Sequence, residues 1–417
     1  EREGIGAGTV ADLPWWDLED LDACTRCGRC EEACPAFAAG RPLDPKQIVL
    51  KSQRVMRARL GDDPDPTAQP PDLFDVIEDT AEVWSCTTCR ACVQACPVAI
   101  DPLDKILEMR RYLTNEGRLT GSAAKALESM AMRGNPWLLK QEDRMAWAEG
   151  SEADVPVMAL IQDPDLLAEG EEPQEVDYLF FVGCAGSYDP RAQSITRSLV
   201  RLLWKAGVSF AVLGEEETCT CEAARRMGEE MLFQVGGTTL KETIEQYRFK
   251  KIVTACPHCL NTLRNDYPQL GAHFDVVHHS ELLLELLRDG RLPAPVGVGV
   301  PTTYHDSCYL GRYNGVYDAP RDVVAAAAGR PPLEMEKRRE NGFCCGGGGG
   351  HMWMEVKIGE PIEFLRTAQA LETQADVVAT ACPYCKIMFD TGLKAPGLEG
   401  RAKVLDLAEL LDRAYGG

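Results

Sequence analysis

The feature that most constrains this chain is its cysteine pattern, because 18 cysteines occur among 417 residues and fall in repeated short spacings. Proteins rich in disulfides concentrate their cysteines in small domains that lack a sufficient hydrophobic core. This chain is long enough for two or three domains with cores of their own, and 45% of its residues are hydrophobic. The pattern therefore favours metal binding in a reducing compartment over disulfides.

Two copies of one cysteine run lie in the first third of the sequence. Residues 24–34 read CTRCGRCEEAC and residues 86–96 read CTTCRACVQAC, each followed by proline. In this C-x2-C-x2-C-x3-C-P spacing, typical of bacterial ferredoxins with two 4Fe–4S clusters, the fourth cysteine of each run ligates the other cluster. We therefore assign two cubane clusters, one to Cys24, Cys27, Cys30 and Cys96 and the other to Cys86, Cys89, Cys92 and Cys34. A pair of zinc sites is the alternative, but zinc leaves the third thiol of each run unexplained.

Helical periodicity surrounds these runs. Apolar residues at helical spacing predict helices over 46–60 and 73–84, and a further helix beginning near Leu103. The segment 61–72, rich in proline and aspartate, is predicted to be a loop. We therefore predict a mainly α-helical ferredoxin module over residues 1–120, followed by a linker over 121–176.

The remaining two-thirds of the chain is an internal repeat. Apolar segments that end in cysteine occur at 178–184, 252–259, 302–308 and 377–385, and equivalent cysteines of the two copies are 124 to 126 positions apart. Each copy then closes with a strand and a helix, at 276–287 and 403–414. This alternation predicts two α/β halves, over 177–295 and 296–417, related by a pseudo-twofold axis. The whole chain is predicted to be a multidomain α+β protein.

The second half contains the sequence NGFCCGGGGGHMW at 341–353. Cysteines at the carboxyl ends of strands meet in the crevice where α/β sheets bind ligands, and nearby helix N-termini favour the thiolate form. We therefore expect one basket of five thiolates, formed by Cys308, Cys344, Cys345, Cys382 and Cys385. The glycines would let the backbone approach a bulky sulfur-bound group. His305 and His351 are close in sequence and are candidates to tune this group by hydrogen bonding to its sulfurs.

The spacing C-x35-CCG-x35-CPYC of the second half resembles the cysteine-rich "CCG" domain of heterodisulfide reductases, which carries a non-cubane 4Fe–4S cluster. With the stretches GNPW (134–137), VGCAGSYDPRAQ (182–193), LGEEETCT (213–220) and YHDSCYLGRYNGVYDAPR (304–321), the chain resembles iron–sulfur oxidoreductases encoded with electron-transfer flavoproteins. The resemblance implies that an electron-transfer flavoprotein donates electrons. It also implies delivery to menaquinone through a membrane cytochrome b-like partner or a fused upstream domain.

The first half departs from this pattern. Thr220 stands where the second half has Cys345, and Cys221 stands where it has Gly346. The candidate cofactor ligands of the first half are Cys184, Cys219, Cys221, Cys256 and Cys259, and whether they bind a further cluster stays open. The five thiols of the second half are the candidate catalytic site.

Two histidines, His278 and His279, stand where the second half has Asp406 and Leu407. Proton relay, metal ligation and a buried structural role are all open for them. The two C-P-x-C pairs would also suit thioredoxin-like dithiols, although that interpretation ignores the other cysteines in register with them.

The charge of the chain limits its partners. There are 44 Lys and Arg against 65 Asp and Glu, a net charge of −21, which disfavours nucleic acid and anionic lipid as direct partners. No apolar run of about 18 residues, the length that spans a membrane, is present. We therefore predict a cytoplasmic protein attached to the inner face of the membrane through a partner or an upstream domain.

The favoured function is an electron relay from a flavoprotein, through two cubane clusters and a non-cubane cluster, to a quinone-linked acceptor. Three alternatives remain. They are disulfide reduction as in heterodisulfide reductase, the iron–sulfur component of a lactate, glycolate or glycerol-3-phosphate dehydrogenase, and a zinc scaffold without enzymatic activity.

Overall fold

The computed structural model describes residues 5–59, 72–77, 79–149, 154–167 and 172–417. The loop predicted over 61–72 lies outside the described residues except for Asp72, which forms a β-bridge with Thr9. None of the helices among the described residues is both long and apolar enough to cross a membrane.

The N-terminal region is helical, as predicted. Its α-helices are α1 (Trp15–Ala23), α2 (Arg29–Glu32), α3 (Pro35–Ala38), α4 (Pro45–Arg59), α5 (Ala81–Trp84), α6 (Ala91–Ala95) and α7 (Pro102–Asn115). Prolines begin α3, α4 and α7, where the missing N–H has no intrahelical partner to lose. The helix predicted over 73–84 is instead a 3-10 turn at Leu73–Asp75 and the short α5. Its apolar residues Leu73 and Val83 still reach the core, so short segments satisfy the same spacing.

The described part of the C-terminal two-thirds contains two parallel sheets. The first has the order β2-β1-β3-β4 and the second the order β5-β6-β7, with every neighbouring pair parallel. The strands are β1 (Val176–Phe181), β2 (Phe210–Ala211), β3 (Phe249–Thr254), β4 (Val276–His278), β5 (Thr302–Tyr304), β6 (Val377–Thr380) and β7 (Lys403–Asp406). The strand–helix alternation predicted from sequence is therefore present in both halves.

The remaining helices cover these sheets and fill the segment between them and the N-terminal module. They are α8 (Gly121–Arg133), α9 (Met158–Gln162), α10 (Gly183–Tyr188), α11 (Pro190–Lys205), α12 (Glu222–Arg226), α13 (Glu230–Glu245), α14 (Pro257–Asn261), α15 (His279–Arg288), α16 (Asp318–Ala328), α17 (Ile362–Leu371), α18 (Pro383–Gly392) and α19 (Leu407–Arg413). The segment 121–176 thus contains α8, α9 and a 3-10 helix at Glu142–Ala148, and Trp147 of that 3-10 helix is fully buried in the core of the sheets.

One buried side chain joins the three parts of the molecule. The guanidinium of Arg110, on α7, is inaccessible to solvent and donates only to backbone carbonyls. Its acceptors are Val83, Trp84 and Cys86 in the helical module, Arg226 in the first half and Gly349 in the second half. Since hydrogen bonds from a charged donor are stronger than neutral ones, Arg110 fixes the helical module against both halves.

The paired histidines have a structural position. His278 caps α15, its Nδ1 accepting from the backbone N–H of Ser280 at 3.3 Å, and Asp406 caps α19 by accepting from Ala408. His279 Nε2 lies 2.9 Å from Asp406 Oδ1, so the pair links corresponding helix caps of the two halves. All three side chains are fully buried, which fits the structural role among the alternatives.

Candidate metal centres

The thiols of the two halves lie where strands give way to helices. Cys256 and Cys382 follow the ends of β3 and β6, and each directly precedes the proline that begins α14 or α18. Cys259 and Cys385 occupy the first turns of these helices, where the unpaired backbone N–H groups create positive potential. The helix N-termini act in favour of thiolate at these positions. The neighbouring thiols and burial outweigh this effect at Cys259 and Cys385 and raise their pKa well above the ordinary value.

The five thiols predicted to form the basket of the second half are all buried. The sulfurs of Cys345 and Cys385 are 3.3 Å apart, and the thiol of Cys344 is hydrogen-bonded to that of Cys308. The backbone N–H of Gly346 donates to Cys344 Sγ at 3.3 Å. Burial acts to raise the pKa of Cys382, but hydrogen bonds from Cys385 and His258 lower this pKa to about 5. The site thus favours thiolate at Cys382 at neutral pH.

The two histidines predicted near the basket occupy different places. His305 is buried, and its Nδ1 accepts from Arg366 Nε at 3.1 Å, so the ring proton is on Nε2. Ligand atoms of His305, Cys345 and Cys385 lie within 4.8 Å of one another, which places His305 at the basket. His351 instead contacts Arg41 of the helical module at 3.2 Å, and burial together with Arg41 lowers its pKa to about 3.

The glycine run packs against protein rather than leaving open space. A β-carbon at Gly348 would lie 2.5 Å from the carbonyl oxygen of Thr87, and one at Gly349 would lie 2.6 Å from that of Cys86. These distances are far below van der Waals contact, so only glycine admits the loop that carries the second ferredoxin run. These contacts give the glycine run a structural role that the sequence did not predict. It forms the surface on which the loop of the second ferredoxin run packs, and we call this surface the seat of the loop.

The cysteines of the helical module fall into two groups. Cys24, Cys27, Cys30 and Cys96 line one small cavity together with Lys46 and Val49. The second group is buried and consists of Cys34, Cys86, Cys89 and Cys92. Burial and then the neighbouring thiols of the group raise the pKa of Cys34, Cys86 and Cys92, whereas the thiol of Cys344 is the main cause of the raised pKa of Cys89. The structure thus places the last cysteine of each run with the first three of the other run.

The second of these groups touches the basket. Cys344 packs with Cys89, Cys308 and Tyr309 in one buried cluster. Arg312 donates to the carbonyl oxygen of Cys89 at 2.6 Å and lies close to the same thiols. At the other end, Cys27 is the one exposed cysteine of the 18, all of which the structure describes.

The first half brings four of its five candidate thiols together. The thiol of Cys219 raises the pKa of Cys184 and that of Cys256 raises the pKa of Cys259, and the ring of Tyr384 from the second half lies next to these four thiols. The thiol of Cys221 donates to the carbonyl oxygen of Cys219 at 3.5 Å, and its sulfur packs against Gly236 of α13. Arg144, in the segment before the first half, donates to Cys184 Sγ at 3.6 Å.

The middle residue of each C-P-x-C pair crosses to the opposite half. His258, from the first half, donates to Cys382 and stacks on Tyr309 with ring centroids 3.9 Å apart. Tyr384, from the second half, contacts His258 edge to face, with ring centroids 5.1 Å apart. Its ring also lies next to the thiols of the first half, which are Cys184, Cys219, Cys256 and Cys259. The sequence analysis did not predict that these side chains reach the opposite half. The aromatic ring at the same position of both C-P-x-C pairs, His258 and Tyr384, was a signal for it.

Several functional side chains were missed from the sequence. Arg110, Arg144 and Arg366 are each about 99% or more buried beside thiols. A buried arginine is unusual in a protein core unless a negative charge compensates it. Burial of an arginine depends on the tertiary structure, so the sequence alone did not single out these three residues. The donor sets fit iron–sulfur clusters, because they consist of several thiols grouped together, and buried arginines lie beside the buried groups. Five thiols in one basket exceed the four ligands of structural zinc.

Comparison with known proteins agrees with this chemistry. Residues 20–100 match the family described as a 4Fe-4S dicluster domain, and residues 178–264 and 302–390 match the cysteine-rich domain. The chain is 39% identical to the EtfAB:quinone oxidoreductase of Syntrophomonas wolfei, over 99% of this chain and 61% of that protein. It is 38% identical to a probable membrane-anchored ferredoxin of Chromohalobacter salexigens, over 98% of this chain and 62% of that protein. The chain therefore spans less than two thirds of the length of these two relatives.

Another relative is matched along nearly its whole length. The chain is 32% identical to one component of the dihydromethanophenazine:CoB–CoM heterodisulfide reductase of Methanosarcina barkeri, over 96% of this chain and 95% of that protein. The matched domains and this relative agree on an iron–sulfur protein. The chain belongs to the family of this heterodisulfide reductase component, with a 4Fe-4S dicluster domain followed by two cysteine-rich domains.

Proposed function

We propose that this protein relays electrons from a reduced electron-transfer flavoprotein to menaquinone or to a cytochrome b-like membrane partner. The observation that carries the proposal is the order of the thiol groups. One group reaches the surface at Cys27, the next is buried behind it, and that group touches the basket through Cys89 and Cys344.

Each bound cluster would supply one-electron chemistry, which a two-electron flavin donor requires of its acceptor. The protein's own residues set the order and the environment. Cys27 gives a partner access to the first group, while Arg110, Arg312 and Arg366 place positive charge beside the inner groups. Positive charge near a buried cluster favours its reduced state, so these arginines favour electron flow inward.

The donor and the acceptor are supported by the name of the relative EtfAB:quinone oxidoreductase. Attachment to the inner face of the membrane through a partner or a further domain is supported by the relative named as a membrane-anchored ferredoxin. The net charge of −21 favours a protein partner over anionic lipid for this attachment.

Disulfide reduction is the second candidate, favoured by the match to the heterodisulfide reductase component. In that case a disulfide would have to enter between the thiols of the first half and the five-thiol basket of the second half. His258 and Tyr384 lie between them and contact each other there. The packing of these rings therefore favours the relay.

The test is anaerobic reduction of the cluster-loaded chain, followed by its visible absorbance. We expect reduced electron-transfer flavoprotein to bleach the iron–sulfur absorbance rapidly, and a soluble menaquinone analogue to restore it. A 2-hydroxy-acid dehydrogenase and a thiol–disulfide pair serve as competing donors and acceptors. Faster exchange with either competitor than with the flavoprotein and the quinone would refute the relay.

A further inference from the structure

The first half carries a compact group of thiols outside the five-thiol basket. This group consists of Cys184, Cys219, Cys256 and Cys259. Its members lie close together, since the thiol of Cys256 and, more weakly, those of Cys219 and Cys184 raise the pKa of Cys259. Gly183 contributes to this convergence, because its φ is +75° and a β-carbon there would lie 3.2 Å from Cys259 Sγ. The backbone is therefore shaped to bring these sulfurs together.

The thiol of Cys221 borders this group, but it donates to the carbonyl oxygen of Cys219 at 3.5 Å and its sulfur packs against α13. A β-carbon at Gly236, on α13, would lie 2.6 Å from Cys221 Sγ, so α13 has a gap that the sulfur fills. The backbone of Cys221 is left-handed, with φ +59°, and Gly346 in the same register has φ +97°. Cys221 therefore keeps the turn that glycine makes in the second half, while its side chain packs into the helix layer.

Arg144 is the second, independent observation at this site. Its side chain is 1% exposed, and its Nη2 donates to Glu217 Oε1 at 2.7 Å and approaches Cys184 Sγ at 3.6 Å. Its Nε and Nη1 are buried and have no hydrogen-bond partner among the described residues. Both carboxylate oxygens of Glu217 already accept hydrogen bonds, Oε1 from Gly183 N–H and Arg144 Nη2 and Oε2 from Val182 N–H. Because an unpaired buried donor is costly, these N–H groups indicate an acceptor beside Cys184.

We propose that the first half binds a cubane 4Fe–4S cluster through Cys184, Cys219, Cys256 and Cys259, with Arg144 as a positioning residue that donates to its sulfurs. Four thiolates around a four-iron core leave net negative charge in a buried site. Arg144, whose Nη2 pairs with Glu217, keeps two N–H groups that have no partner among the described residues and can donate toward this charge. Neither Cys221 nor Thr220 is a ligand. This deepens the proposed relay by giving it a fourth cluster, which Tyr384 and His258 bring next to the basket of the second half.

The ligand set is tested by iron and acid-labile sulfide counts after anaerobic reconstitution of the full chain. At four irons per cluster, we expect about 16 irons for the wild-type chain and about 12 for Cys256→Ser. Cys221→Ser is the matched control and should retain about 16. An equal loss in both variants, a wild-type count of about 12, or one zinc ion in place of four irons would overturn the proposal.

The role of Arg144 is tested by redox titration followed by electron paramagnetic resonance. Arg144→Gln should keep the full iron count but shift the midpoint potential of one cluster to a more negative value, and Arg144→Lys should shift it less. A loss of four irons in Arg144→Gln but not in Arg144→Lys would also support the role of charge. Unchanged potentials, or equal iron loss in both variants, would overturn it.

These measurements use neither flavoprotein nor quinone, so they separate this inference from the proposed function. A chain that loads about 16 irons but is not reduced by the flavoprotein would refute the relay and leave the fourth cluster intact. A chain that is reduced by the flavoprotein but loses no iron in Cys256→Ser would do the opposite.

Discussion

Two duplications lie side by side in this chain, and they differ in how far their copies have diverged. The two ferredoxin runs keep one spacing, and the structure groups the last cysteine of each with the other run. The two cysteine-rich halves share three parallel strands in the same order, but the first half has a fourth strand, β2, and Thr220 and Cys221 replace a cysteine and a glycine. Cys221 nevertheless keeps a left-handed backbone at the glycine position. The two halves therefore share the backbone conformation of this turn but differ in the thiols that it presents.

The largest effect should come from the thiol that the first half lacks. We expect Cys345→Ser to remove about four irons and to abolish electron delivery to the quinone analogue, since the basket loses the thiol that contacts Cys385 at 3.3 Å. The absorbance and paramagnetic signals of the cubane clusters should remain. If Cys345→Ser keeps its iron and its turnover, the two halves do not differ in the way proposed here.

Serine substitutions also test the crossed assignment, in which the last cysteine of each ferredoxin run binds the cluster of the other run. Cys96→Ser should impair the cluster held by Cys24, Cys27 and Cys30, because these residues share one cavity. Cys92→Ser should impair the buried cluster instead. Paramagnetic resonance of the two reduced variants distinguishes the clusters, and identical spectra would contradict the crossed grouping.

Arg110→Gln tests what ties the two halves to one helical module. The variant leaves buried carbonyls of all three parts without their charged donor, and we expect the free energy of unfolding to fall by about 3 kcal/mol. Thermal unfolding of the cluster-loaded chain under anaerobic conditions measures this loss. Arg118→Gln, at an exposed position after the same helix, is the control and should change little. Equal effects of the two substitutions would exclude a special role for Arg110.

The smallest predicted effect concerns the glycine run, which the first half replaces with α12. Gly349 and Gly315 have similar φ values, +65° and +71°, but only Gly349 faces the carbonyl oxygen of Cys86. Gly315→Ala should therefore cost about 1 kcal/mol for left-handed backbone alone. Gly349→Ala should cost measurably more, because the loop of the helical module must also move. Equal melting temperatures for the two variants would show that the loop does not rest on this seat.

Much of the arrangement was predictable from cysteine spacing and strand–helix alternation. The helices α4 and α7 and the alternation of strands and helices in both halves follow from patterns that are local in sequence. The iron–sulfur family follows from the cysteine motifs and the resemblance that they carry. The contacts that join the parts are not local. Arg110 meets Gly349 across 239 positions, and His279 meets Asp406 across 127, so neither pairing leaves a periodic trace. Cys221 was ambiguous because a sequence shows a thiol but not the direction of its side chain.

The seat of glycines also has a kinetic consequence. It holds the backbone of Cys86 and Thr87 against the segment that follows Cys345, and so sets the separation between the buried ferredoxin group and the basket. Electron tunnelling slows exponentially as the gap between donor and acceptor widens. In the proposed relay, a side chain that lifted the loop by a fraction of an ångström would therefore slow electron transfer between the two groups without removing either cluster. The glycine run would in this way set the rate at which electrons pass from the ferredoxin group to the basket.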